Sequence, residues 1–151
     1  MPEPLLLDTH VWIWILEGRS ERLSGVAQRR VQLAACAGRA FVSVVSVWEL
    51  GMLVRKGRVD LPEPLSRAIE ASSSATGLRF VELDMETTIA CDELPPAVHA
   101  DPADRFLLAT ARQLQAHLVT CDAALLGYAE EGWLRAVDAR PRGRGRSLST
   151  S

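Results

Sequence analysis

Leu5-Leu6-Leu7-Asp8-Thr9-His10-Val11-Trp12-Ile13-Trp14-Ile15-Leu16-Glu17-Gly18 decides the fold class of this 151-residue chain. Three consecutive leucines read as a short strand buried on both faces. Thr9 to Glu17 reads as a helix, closed by Gly18, a common residue just beyond a helix end. Asp8 stands at the junction. The same passage from strand to helix recurs along the chain. Phe41 to Ser43 reads as a strand, and Ser46 opens a helix over Val47 to Lys56 that Gly57 ends. Phe80 to Leu83 leads into a helix from Met85 that Pro95-Pro96 must stop. Leu118 to Thr120 leads into a short helical turn from Asp122, and Leu134 to Val137 is a last strand. Further helices are expected over Ser24 to Ala37 and, after the stiff Leu61-Pro62-Glu63-Pro64 turn, near Leu65 to Ala71, with Ser72 to Gly77 as a loop or frayed end. Asp101 to Ala116 reads as a helix with Asp101 as N-cap and Pro102 at the first helical position. Short apolar strands alternating with helices specify an α/β fold with a mainly parallel sheet, whose sites form at the carboxyl ends of the strands.

Working outward, the composition is that of one folded domain. Hydrophobic residues make up 48% and charged residues 24%, ordinary for a globular protein long enough to bury a core. The strongly apolar stretch Val11 to Leu16 is far shorter than a membrane span, and Met1-Pro2-Glu3-Pro4 lacks the basic start of a secretion signal, so a cytoplasmic protein is expected. Cys36, Cys91 and Cys121 form no CxxC pair; buried thiols are expected, not a zinc site or disulfides. The net charge of −2 hides an asymmetry, because Arg140, Arg142, Arg144 and Arg146 all lie in the last twelve residues. Without them the body is distinctly acidic. The chain divides into a domain over 1–139 and a basic, disordered tail over 140–151, which is too polar to build a core.

Four acids stand behind apolar sequence where helices begin: Asp8, Glu49, Asp104 and Asp122. Each has a structural explanation. Asp8 and Asp122 suit N-caps, Ser46-Val47-Trp48-Glu49 suits a capping box, and Asp104 suits the first turn behind Asp101. Helix phase argues for more in two cases. Asp104 shares a face with Leu107, Leu108 and Ala111, and Glu49 with Met52 and Leu53. A carboxylate on a core-facing side is costly unless paired, protonated or bound to metal. Few basic residues stand near enough in sequence to neutralise four acids. An all-oxygen donor set favours Mg²⁺ or Mn²⁺. Helix N-termini carry partial positive charge and oppose a cation, but three or four full negative charges outweigh it.

At this point the chain resembles the PIN-domain ribonucleases, and within them the VapC-type toxins of toxin–antitoxin pairs. The resemblance covers about residues 4 to 139. It rests on Leu5-Leu6-Leu7-Asp8-Thr9-His10, on Ser43-Val44-Val45-Ser46-Val47-Trp48-Glu49-Leu50 with Lys56-Gly57-Arg58-Val59-Asp60-Leu61-Pro62, on His99-Ala100-Asp101-Pro102-Ala103-Asp104-Arg105-Phe106-Leu107-Leu108-Ala109, and on Leu118-Val119-Thr120-Cys121-Asp122. Each block alone is a weak signal; all four in this order form a specific one. The resemblance implies a three-layer α/β/α sandwich with Asp8, Glu49, Asp104 and Asp122 as catalytic and metal-holding acids. Thr9 and Thr120 match supporting hydroxyls, and Asp101 and Arg105 are further supporting candidates. Ala103 departs from the aromatic often found there, which bears on substrate fit more than on catalysis.

The implied chemistry is Mg²⁺- or Mn²⁺-dependent hydrolysis of an RNA phosphodiester. The implied partners are RNA, a VapB-type antitoxin whose basic segment suits the acidic body, and a second copy of the chain in a homodimer, with no membrane. Trp12, Trp14, Trp48 and Val11 read equally well as core or as interface. Two other readings compete: a PIN-like scaffold that binds RNA or protein without catalysis, and an aspartyl phosphoryl-transfer enzyme using Asp8. The latter needs a charge-balancing lysine, and Lys56 is the only lysine in the chain.

Overall fold

A computed structural model describes residues 1–98 and 101–143. Within them five strands form one sheet: β1 (Leu5–Leu7), β2 (Ala40–Ser43), β3 (Arg79–Val81), β4 (His117–Thr120) and β5 (Arg135–Asp138). Their order is β3-β2-β1-β4-β5, and all four pairings are parallel. In register, Leu5 lies opposite Ala40 and His117, and Leu7 opposite Val119. Among the described residues seven α-helices accompany the sheet: α1 (Thr9–Leu16), α2 (Gly25–Cys36), α3 (Val44–Arg55), α4 (Leu65–Thr76), α5 (Met85–Asp92), α6 (Pro102–Leu114) and α7 (Ala123–Glu130).

The period-two alternation of strand side chains sorts the core into two layers. Leu5, Leu7, Ala40, Val42, Val119 and Val137 pack with Trp12, Val31 and Leu50 from α1, α2 and α3. Leu6 and Leu118 point the other way and pack with Leu107, Leu108 and Leu125 from α6 and α7. A central strand reading Leu-Leu-Leu is therefore apolar because both of its faces are covered. This is the expected three-layer α/β/α sandwich.

Strand ends shift from the sequence reading by one or two residues, as in β3, expected over Phe80 to Leu83, and three larger departures stand out. First, α3 begins directly after β2: Ser43 is the N-cap, its Oγ accepting from the Val45 N–H at 3.1 Å. Ser46 is thus inside the helix and fully buried, so the expected Ser46–Glu49 capping box does not form. The β-branched run from Val42 to Val45 concealed the switch. Second, α4 runs on to Thr76. Ser72 is buried because its Oγ accepts from the Trp12 indole N–H at 3.0 Å, and the Ser74 and Thr76 hydroxyls bond back to carbonyls one turn earlier. Tertiary burial overrides the low helix propensity of that serine run. Gly77 ends α4 at φ +73, where a Cβ would stand 2.8 Å from the Ala35 carbonyl oxygen. Third, α7 is a helix of 8 residues, longer than a turn. Of the three thiols, Cys91 is buried and Cys121 half-buried, but Cys36 is exposed, contrary to expectation, at the end of α2. Trp12 and Val11 are core; Trp48 is exposed. No helix among the described residues is long and apolar enough to cross a membrane. His99 and Ala100, and residues 144–151 of the expected tail, lie outside the described residues.

A candidate acidic active site

Strand order places the acids. β1 pairs with β2 on one side and β4 on the other, so the chain leaves neighbouring strands in different directions at their carboxyl ends. Such a switch point opens a crevice. Helices that pack back on a parallel sheet run against the strands and so begin at that same edge. Asp8 is the N-cap of α1, Asp122 that of α7 and Asp101 that of α6, with Asp104 in the first turn of α6 and Glu49 in the second turn of α3.

Hydroxyl groups fix the two most central acids. Asp8 is 6% exposed. Its Oδ1 accepts from the Thr9 N–H at 2.7 Å and its Oδ2 from the Thr120 hydroxyl at 2.7 Å. Thr120 Oγ1 in turn accepts from the Asp122 N–H at 3.0 Å, so one buried hydroxyl joins two of the acids. Thr9 Oγ1 donates to Glu49 Oε1 at 2.6 Å and lies 2.8 Å from Ser46 Oγ. A hydroxyl has one proton. With the Thr9 proton on Glu49, Ser46 must donate to Thr9, which makes a Ser46–Thr9–Glu49 relay. Asp122 Oδ1 accepts from the Ala124 and Leu125 N–H groups at 2.8 and 3.0 Å, and Asp101 Oδ1 from the Asp104 N–H at 2.9 Å.

The electrostatics are those of crowded like charges. The Asp104 carboxyl is raised to about 7, first by burial and then by Asp101, Asp8, Asp122 and Glu49. Asp8 is raised by burial, against the opposing bonds from Thr120 and Thr9 and the charge of His10; Asp122 adds to the rise. Glu49 is raised by burial, with the Thr9 bond opposing and Asp8 and Asp101 adding. The donor set and its surplus of negative charge fit a hard divalent cation. Among the described residues, however, no three acidic, histidine or cysteine side chains stand ready to hold one ion.

Asp8, Glu49, Asp101, Asp104 and Asp122 therefore share one edge, with Thr9 and Thr120 between them. Arg105 does not join them. Its guanidinium donates to the Val98 and Cys91 carbonyls, both at 2.9 Å, and ties the end of α5 and the following loop to α6. Lys56 caps the far end of α3, about 18 Å from its start at 1.5 Å per residue, which removes the lysine that an aspartyl phosphoryl-transfer site needs. Sequence reasoning overlooked Ser46 as a site residue. Its signal was its spacing: three residues before Glu49 lies on the same helix face.

A family model of the PIN domain matches residues 5–131. Ribonuclease VapC22 of Mycobacterium tuberculosis is 31% identical over 124 residues, which is 82% of this chain and 91% of that protein. Among solved structures, VapBC2 from Rickettsia felis bound to a DNA fragment from its promoter superposes with a TM-score of 0.66 at 16% identity, covering 88% of this chain and 96% of that one. DNA-bound VapBC from Salmonella typhimurium gives 0.61 at 16% identity, covering 89% and 97%. At such identities the two structures speak for the fold. The chain belongs to the PIN-domain family and, within it, to the VapC type.

Proposed function

We propose that this chain is an endoribonuclease that hydrolyses RNA phosphodiester bonds with Mg²⁺ or Mn²⁺, and that it acts in the cytoplasm as the toxin of a VapBC-type pair. The observation that carries the metal-dependent reading is Asp104. Burial first, and then Asp101, Asp8, Asp122 and Glu49 at the same edge, raise its carboxyl to about 7, and a divalent cation relieves such a gathering of acids. Asp8, Glu49 and Asp104 would hold one ion directly or through water, with Asp122 completing that shell or helping to hold a second. Bound there, the ion polarises a phosphoryl oxygen, lowers the pKa of water and screens the acids so that phosphate can enter.

The chain's own residues position and move protons. Thr120 holds Asp8 Oδ2, and the Ser46–Thr9 relay holds Glu49 Oε1. Such outer hydroxyls fix carboxylate orientation and are worth roughly 10- to 100-fold in metal affinity or activity. A carboxylate of the cluster would take the proton of the attacking water. No serine, cysteine or histidine nucleophile is required.

The acidic body complements a basic segment of a VapB-type antitoxin, and the chain pairs with a second copy as a homodimer. Purified chain should cut RNA only with Mg²⁺ or Mn²⁺ present. Asp8→Ala should abolish both cleavage and growth inhibition on expression, and undiminished cleavage by Asp8→Ala would sink the reading. The spacing of the acids is the one observation favouring a non-catalytic scaffold. Calorimetric titration with Mn²⁺ decides: no binding together with no cleavage favours the scaffold.

A further inference from the structure

Beside the acids, α1 carries a second chemistry that the hydrolysis does not use. His10 and Trp14 are one turn apart on the same face, their ring centroids 6.3 Å apart and their planes tilted by 35°. After Gly18, at φ +71, the chain doubles back. The Arg19 N–H bonds the Trp14 carbonyl at 2.7 Å, and the short 3-10 turn Ser20–Arg22 follows. That turn sets the Arg22 guanidinium 5.7 Å from the Trp14 ring centroid, within cation–π range. Imidazole and guanidinium thus both lie beside the Trp14 indole.

Asp8, His10, Val11, Trp14, Cys121 and Asp122 enclose a recess of about 300 Å³, at the lower end of small-molecule sites. One side is Asp8 and Asp122 from the acid cluster. The other is aromatic, with Val11 fully buried behind it. His10 is exposed, while Trp14 is half-buried and packs against the core cluster of α1 and α2. A phosphodiester held at the acids carries a base next to it, and the aromatic wall shares this recess with Asp8 and Asp122. Every base has a π-face, and proteins take up unpaired bases by stacking them on aromatic rings and arginine planes.

We propose that His10, Trp14 and Arg22 form the subsite for the nucleobase next to the cleaved phosphodiester, with the base against the Trp14 indole inside the recess and Arg22 meeting the following phosphate. The inference rests on the ribonuclease reading and adds where that enzyme holds its substrate.

The test uses short labelled oligoribonucleotides, one fully based and one abasic beside the cut. Trp14→Ala should raise KM on the based oligomer about ten-fold or more, with kcat within about two-fold. Trp14→Phe, which keeps a ring and guards against misfolding, should stay near wild type. The abasic oligomer should be a correspondingly poorer substrate for the wild type but not for Trp14→Ala. His10→Ala, at an exposed position, should give a smaller rise in KM. Arg22→Ala should make KM less sensitive to salt. An unchanged KM in Trp14→Ala, or an equal loss on based and abasic oligomers, overturns the subsite while leaving the ribonuclease reading standing. If the wild type cuts no RNA, that reading fails instead. Anisotropy of the based oligomer with wild type and Trp14→Ala then judges the subsite alone: weaker binding by the variant supports it, and equal binding or none overturns it.

Discussion

Asp104→Asn separates the electrostatic account of the site from a purely structural one. The Asp104 carboxyl is raised from 3.8 to about 7, mainly by burial and then by Asp101, Asp8, Asp122 and Glu49. In the unfolded chain the same group loses its proton near its ordinary value. Between about pH 4 and pH 7 the folded state therefore binds more protons than the unfolded one, and stability falls as pH rises through that window. Below it, both states are protonated and the group costs nothing; above it, the whole cost is present. One pKa unit corresponds to about 1.36 kcal/mol, but solvent screens this half-exposed group, so a cost of about 1–2 kcal/mol at neutral pH is expected. Glu49 and Asp8 are also raised and slope the same way, so the variant removes part of the trend. Urea unfolding in EDTA at pH 4 and pH 8 measures it. The wild type should lose stability between the two, and Asp104→Asn should lose about 1–2 kcal/mol less. Excess Mn²⁺ at pH 8 should restore more stability to the wild type than to the variant. Identical pH dependence in both proteins would refute the charge-crowding argument.

Other consequences follow from the same contacts. Thr9→Val keeps the shape of a buried side chain but strands Glu49 Oε1 and Ser46 Oγ; it should cost about 2–3 kcal/mol in unfolding experiments and about 10- to 100-fold in Mn²⁺ affinity by calorimetry. Ser46→Ala acts through Thr9, so it should cost measurably less in the Thr9→Val background than in the wild type, whereas additive losses would break the relay. Arg105→Ala removes two bonds to carbonyls and should cost about 2–3 kcal/mol, read as a drop in Tm of roughly 2–4 °C per kcal/mol for a chain of this size. Mn²⁺ affinity should fall less than in Thr9→Val; an unchanged Tm would contradict the bracing role.

The legibility of the chain varied with the range of the forces involved. Asp101 as a cap and Pro102 at the first turn of α6 were readable because both act within one turn of helix. The apolar run Leu5–Leu7 was readable because burial on both faces demands it. Ser43 as the cap of α3 was not, since Val42 to Val45 suits a strand and a helix alike, and only the packing of Leu50 and Ser46 beneath α1 settles where the strand stops. The second half of α4 was unreadable for a related reason: its serines favour loops until Trp12 gives Ser72 a buried partner.

By itself, the sequence determined the alternation of strands and helices, the acids at the strand-to-helix junctions and the core-facing phase of Glu49 and Asp104, because periodicity and capping are local properties. Tertiary structure alone decided the strand order that makes β1 and β4 neighbours. From that order come the hydroxyl bridges of Thr120 and Thr9, linking residues 112 and 40 positions apart, and the burial and crowding that lift Asp104. It also set Trp14 in one recess with Cys121 and Asp122. These are contacts between distant parts of the chain, and no local pattern encodes them, since a hydrogen bond or a charge acts across space and not along the sequence.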